Sequence, residues 1–252
     1  MHALAAIASR RIAVEDHERF GAFSGDLNPI HADAVAARSM ELGGLLAYGM
    51  DMLLWALEAL AGQGWPLRSV ARVRARFVRG VYLEDVVELR QAGEPRAALQ
   101  AFELTVKRTS VLRFDLFVGE RTAMPRCGAP ESTAIRQRVP RNLQLEELEG
   151  REGEAALAPL AEALLLYPRL AEHFGPRAVA EFAACSYIIG MEAPGLRSMS
   201  MRYDLQLTNA VGMGGAGSLH YRVTDVDERF RKATIAVSGT HISGTLEAFV
   251  RA

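Results

Sequence analysis

Cysteine is almost missing from this chain: Cys127 and Cys185 are the only two in 252 residues. Two cysteines cannot build a disulfide framework, and without a Cys-x-x-Cys pair there is no zinc knuckle. A reducing compartment is the default for such a chain. Lysine is nearly as scarce, with Lys107 and Lys232 alone among 29 basic residues. A net charge of −1 gives no general attraction to nucleic acid or to acidic lipid. No run approaches the ~18 apolar residues of a membrane span. The apolar stretch Ala3–Ala8 is too short for a secretion signal, and Arg10-Arg11 follows it instead of preceding it. The expected location is cytoplasmic.

What the chain does contain is core material. Half of its residues are apolar and 23% are charged, the balance of a globular protein with one large domain or two small ones. Between Tyr48 and Ala61 the apolar residues Met50, Met52, Leu53, Leu54, Trp55, Leu57 and Leu60 nearly encircle a helix. A helix apolar all round is a buried one. Gly62, Gly64 and Pro66 end it. Strands follow. In Ala71–Phe77 small and apolar residues alternate strictly with Arg72, Arg74 and Arg76, and Val81–Arg90, Ala97–Arg108 and Val111–Val118 continue the pattern.

The second half repeats the plan about 130 residues on. Leu196-Arg197-Ser198-Met199 echoes Leu67-Arg68-Ser69-Val70, behind an apolar helix at Arg177–Met191 and ahead of further alternating strands. The expected class is α+β, with each unit a long buried helix wrapped by an antiparallel sheet. The units fall at residues 1–121 and 155–252. Residues 122–154, rich in Pro, Gly and charge, read as a linker with little order. The glycine cluster Gly212–Gly217 lacks the Lys-Ser/Thr of a phosphate loop and precedes a strand, so it reads as a strand connection.

The informative stretch is Phe20–Met50. Asp26 and His31 lie five residues apart, and Pro29 prevents continuous helix between them. The two side chains can converge on one small volume as an acid and a base. The same residues also fit a plainer reading, with Asp26 and Asn28 as turn formers and His31 at the surface.

Ser24-Gly25-Asp26-x-Asn28-Pro29-Ile30-His31-x-Asp33, with Gly49-Met50 eighteen residues beyond the histidine, resembles the signature of MaoC-like dehydratases, a group that includes the (R)-specific enoyl-CoA hydratases. The resemblance implies the double hotdog fold, a pseudo-dimer within one chain, with homodimer formation left open. It implies reversible hydration of trans-2-enoyl thioesters to (3R)-3-hydroxyacyl thioesters, on coenzyme A or an acyl carrier protein, with no cofactor and no metal. Asp26 and His31 match the catalytic pair, and Gly49 matches the position whose N–H receives the developing negative charge on the thioester oxygen. Asn28, Tyr48 and Ile188 are the expected substrate contacts. Tyr48 departs from the family, which usually has histidine there, and altered substrate fit is the expected result. The second half lacks an Asn-Pro-x-His, so one active site is expected, with the acyl tail running between the halves against Phe182, Tyr187 and Ile188. The arginines of Ala71–Phe77 are either phosphate receivers or a solvated face. Two other classes use the same fold: a hotdog acyl-CoA thioesterase, with Asp51 or Glu58 as its carboxylate, and a non-catalytic acyl-thioester-binding protein.

Overall fold

The structure, a computed structural model, describes residues 5–39, 43–94, 96–121, 135–209 and 217–251. The first half runs β1 (Ala8–Arg11), α1 (Val14–Ser24), α2 (Pro29–Ala32), α3 (Ala34–Ser39), α4 (Gly49–Gly62), β2 (Val70–Phe77), β3 (Val86–Gln91), β4 (Leu99–Val106) and β5 (Thr109–Val118). The second runs β6 (Glu152–Ala156), α5 (Leu160–Leu166), α6 (Pro168–Phe174), α7 (Pro176–Tyr187), β7 (Ser198–Leu207), β8 (Ser218–Asp227), β9 (Lys232–Ser238) and β10 (Ile242–Val250).

All ten strands form one antiparallel sheet, joined where β2 pairs with β7. Outward from that seam the strands follow as β2, β5, β4, β3, β1 on one side and β7, β10, β9, β8, β6 on the other. The two halves therefore share one plan, related by a pseudo-twofold axis at the seam. Alternation explains the wrapping. In β2, Val73 and Ala75 turn inward and are buried, while Arg72 and Arg74 turn outward. Both of those arginines reach Asp204 on β7, Arg72 through two bonds of 2.5 and 2.6 Å. This closes the outer side of the seam with opposite charges across neighbouring strands.

The inner side covers α4 and α7, which pack against each other. Leu53, Leu54, Leu57 and Leu60 of α4 are fully buried, as is every residue of α7 from Ala178 to Tyr187. No helix among the described residues is long and apolar enough to cross a membrane.

Two expectations need correction. The second helix does not stay α-helical to Met191: beyond Tyr187 it widens into a π turn, Ile188–Glu192. The stretch expected to be a linker is ordered from residue 135. Leu143, Leu145 and Leu148 join the core, Arg136 donates to Phe23 O at 2.9 Å, and Arg141 reaches Glu192 at 2.9 Å. Its last residues already belong to β6, which pairs with β8. Residues 122–134, with Cys127, and most of the glycine cluster, 212–216, lie outside the described residues.

Candidate active site

The site is built on the turn between α1 and α2. Gly25 ends α1 in the left-handed region at φ 76°. The chain then folds back through side-chain bonds to its own backbone. Ser24 Oγ accepts from Asp26 N–H at 3.2 Å, Asp26 Oδ1 accepts from Asn28 N–H at 3.1 Å, and Asn28 Oδ1 caps α2 through Ile30 N–H at 3.2 Å. Pro29 occupies the first turn of α2, where its missing N–H costs nothing. Asn28 Nδ2 donates to Gly190 O at 3.1 Å and to Gly195 O at 3.0 Å, which ties the turn to the second half.

Asp26 is buried, and its Oδ2 accepts a 2.7 Å bond from Ser186 Oγ at the end of α7. Burial pushes its carboxyl up to about 6, against the bonds from Ser186 and Asn28 that favour the charge. The π turn matters here. It presses Gly190 against the carboxylate so closely that a Cβ would fall 2.1 Å from Asp26 Oδ1. Only glycine fits that approach without moving the acid.

His31 Nδ1 lies 2.7 Å from Leu46 O. A carbonyl only accepts, so Nδ1 carries the proton and Nε2 keeps its lone pair. Burial pushes the imidazole down to about 4, with the Leu46 bond acting the other way. It is therefore neutral at physiological pH. The backbone behind it is held by His17, whose Nε2 donates to His31 O at 2.8 Å.

Gly49 opens α4, and its N–H has no acceptor within the helix. A Cβ there would lie 2.6 Å from the ring of Phe77, so the helix start and the end of β2 approach closely.

Asp26, His31 and Gly49 line one cavity of about 120 Å³ between the halves. Ser186, Ile189, Gly190, Ser198 and Ser200 line it from the second half. Val78, Arg79 and Gly80 are the exposed members of its wall and mark the mouth, while Met52 and Ile189 are buried.

Three expected substrate contacts are not in the wall. Asn28 is fully buried and spends both ends of its amide on backbone. Tyr48 lies behind the turn: its hydroxyl donates to Asp26 O at 2.8 Å, and its ring packs on His17 and His31 with centroids 4.5 and 4.1 Å away. Ile188 is core, and so are Phe182 and Tyr187. The π turn brings the next residues, Ile189 and Gly190, to the cavity instead. Asp51 and Glu58 also point elsewhere. Asp51 binds Arg10 at 3.0 Å and Tyr167 OH at 2.6 Å, and Glu58 caps α6 through Arg169 and Leu170 N–H.

Comparison with known proteins agrees with this architecture. A solved MaoC-like dehydratase is 12% identical, with a TM-score of 0.62 over 96% of this chain and 95% of its own. A MaoC domain protein of Chloroflexus aurantiacus J-10-fl is 11% identical, with a TM-score of 0.64 over 99% and 95%. A conserved hypothetical protein of Mycobacterium tuberculosis described as having a double hotdog fold is 11% identical, with a TM-score of 0.58 over 98% and 95%. Identities this low speak for the fold alone, and the fold is the double hotdog. No curated protein matches the sequence. Residues 3–109 match the family model described as MaoC like domain.

Proposed function

We propose that this protein is a hydro-lyase that adds water reversibly to trans-2-enoyl thioesters, giving (3R)-3-hydroxyacyl thioesters. One observation carries the reading: a carboxylate and a neutral imidazole open onto the same cavity as the first N–H of a buried helix. The ionised Asp26 accepts a proton from a water, whose second hydrogen is oriented by the lone pair on His31 Nε2. The hydroxide so formed bonds to C3. Electron density moves through C2 onto the thioester oxygen, where the Gly49 N–H and the positive end of α4 stabilise it. Asp26, now protonated, returns its proton to C2 on the same face. The water is consumed whole, and Asp26 ends ionised as it began.

The test is direct. Purified protein with crotonyl-CoA should consume the enoyl absorbance without releasing thiol, and Asp26→Asn should abolish the change. Release of thiol would instead mean a thioesterase, and neither signal would mean a binding protein. The positions of Asp51 and Glu58 speak against thioesterase chemistry, because both carboxylates are occupied in holding the fold.

A further inference from the structure

Two neighbouring rows of side chains cross the outer face of the seam, and they are built differently. In one row Arg74 of β2 stands between Asp115 of β5 and Asp204 of β7. Opposite charges alternate there, as sheet stability favours. Two residues on, towards the cavity mouth, Arg76 stands between Arg113 of β5 and Arg202 of β7. Three like charges abreast weaken the strands that carry them, so stability does not explain this row.

The outer two arginines each reach a glutamate on the far side, Arg113 at 3.8 Å to Glu103 and Arg202 at 4.0 Å to Glu247. Arg76, in the middle, is exposed and has no carboxylate partner among the described residues. It directly precedes Phe77 of the cavity wall and the mouth residues Val78 and Arg79.

We propose that this row receives the phosphates of a coenzyme A thioester whose acyl end occupies the cavity, an assignment that rests on the hydration reading for its acyl end alone. Size and sign select the occupant. Three strands at about 4.8 Å spacing make a cationic strip roughly 10 Å wide, a match for a diphosphate and a nearby phosphate. Glu103 bounds the strip on one side and Glu247, shared with Lys232 at 3.9 Å, on the other, which confines the unpaired charge to the middle of the row and suits a small anionic group better than a broad acidic face. Guanidinium groups suit the task because each offers a planar pair of donors to phosphate oxygens.

The experiment compares crotonyl-CoA with crotonyl-N-acetylcysteamine, which lacks every phosphate, on the wild type and on Arg76→Glu. The ratio of the two kcat/KM values should fall at least about 10-fold in the variant, mainly through KM for the coenzyme A substrate. Raising ionic strength should lower the wild-type ratio and leave that of the variant flat. An unchanged ratio overturns the assignment. So does a variant impaired only with a crotonyl acyl carrier protein, which would give the row to a protein partner. Calorimetric titration with free coenzyme A separates this inference from the hydratase reading. If neither thioester is hydrated, coenzyme A binding at least 10-fold weaker in Arg76→Glu still upholds the row. Equal affinities, or no binding to the wild type, overturn it.

Discussion

Ser186 Oγ, at the end of α7, donates to Asp26 Oδ2 at 2.7 Å across 160 residues of sequence. The half without the motif thus holds the carboxylate of the half that has it. A hydrogen bond to a charged group contributes ~1.5–3 kcal/mol, and this one favours the ionised acid. Ser186→Ala should therefore lower kcat by roughly 10- to 100-fold and move the acidic limb of the pH profile upward. Loss of rate with an unmoved limb would show that the serine only packs.

The pH profile of the wild type follows from the two groups together. His31 is neutral above about pH 4, and Asp26 ionises at about 6. The kcat/KM for hydration should rise to a plateau through about pH 6. Asp26→Asn and His31→Ala should each lower kcat at least ~10²-fold. The double variant should be little worse than either single one, because both groups act on the same water. Additive losses would give them separate roles.

Stability shows the same groups with opposite signs. The Asp26 carboxyl lies above its ordinary 3.8, so its contribution is full below that pH and is lost as pH rises through about 6. The His31 imidazole lies below its ordinary 6.5, so its contribution is full above that pH and is lost as pH falls through about 4. Each change is on the order of 3 kcal/mol at ~1.4 kcal/mol per pH unit, and in the wild type they largely cancel. Single variants should unmask them. Urea unfolding of Asp26→Asn should show stability rising from pH 4 to 6.5, and that of His31→Gln should show it falling. Parallel curves for both would contradict the assignment.

Much of the fold was legible because its signals are local. The alternation in β2 and the encircled helix α4 each show in a dozen residues. Asp26, His31 and Gly49 were legible through the motif that contains them. Ser186 was not: one hydroxyl in an apolar helix looks like any core serine until its partner is placed. A regular helix would turn Ile188 toward the tail, but the π turn brings Ile189 and Gly190 to the cavity instead. The order after residue 135 has no local signal, because Arg136 and Arg141 are anchored by distant partners, Phe23 O and Glu192.

Tyr48 packs behind the turn that carries Asp26, and Gly21 makes room for it. A Cβ on Gly21 would lie 2.7 Å from the Tyr48 hydroxyl, which is itself bonded to Asp26 O. Gly21→Ala should therefore push on the turn that carries Asp26 and lower Tm and, on the hydration reading, kcat. In a Tyr48→Phe background, which lacks the hydroxyl, the same change should cost less. A double-mutant cycle measures the coupling, expected at ~0.5–3 kcal/mol for residues in contact. No coupling would mean that the turn is held without Tyr48.

Cavity size sets an expectation for the acyl chain. The cavity of about 120 Å³ is smaller than the ~150 Å³ that holds benzene, and the exposed Val78, Arg79 and Gly80 leave it open at one end. Its closed end, at the buried Met52 and Ile189, sets the room left for the tail. Met52 is buried in the wall one turn along from Gly49. Met52→Ala should raise kcat/KM for a six-carbon enoyl thioester relative to crotonyl by about 5-fold or more, the factor that ~1 kcal/mol supplies. An unchanged preference would place the tail elsewhere.

The seam between β2 and β7 joins two unlike units in a single polypeptide, and this bears on how the asymmetry persists. Made as separate chains, two copies of the motif-bearing unit could pair with each other, and such pairs would have no Ser186 to steady the acid. Tethering excludes those wrong pairings by holding the right neighbour at an effective concentration near millimolar. Under that guarantee, on the hydration reading, the second unit needs no water-handling residues of its own and serves as a wall. Splitting the gene between residues 122 and 134 would remove the guarantee, and output would then depend on how often unlike units meet.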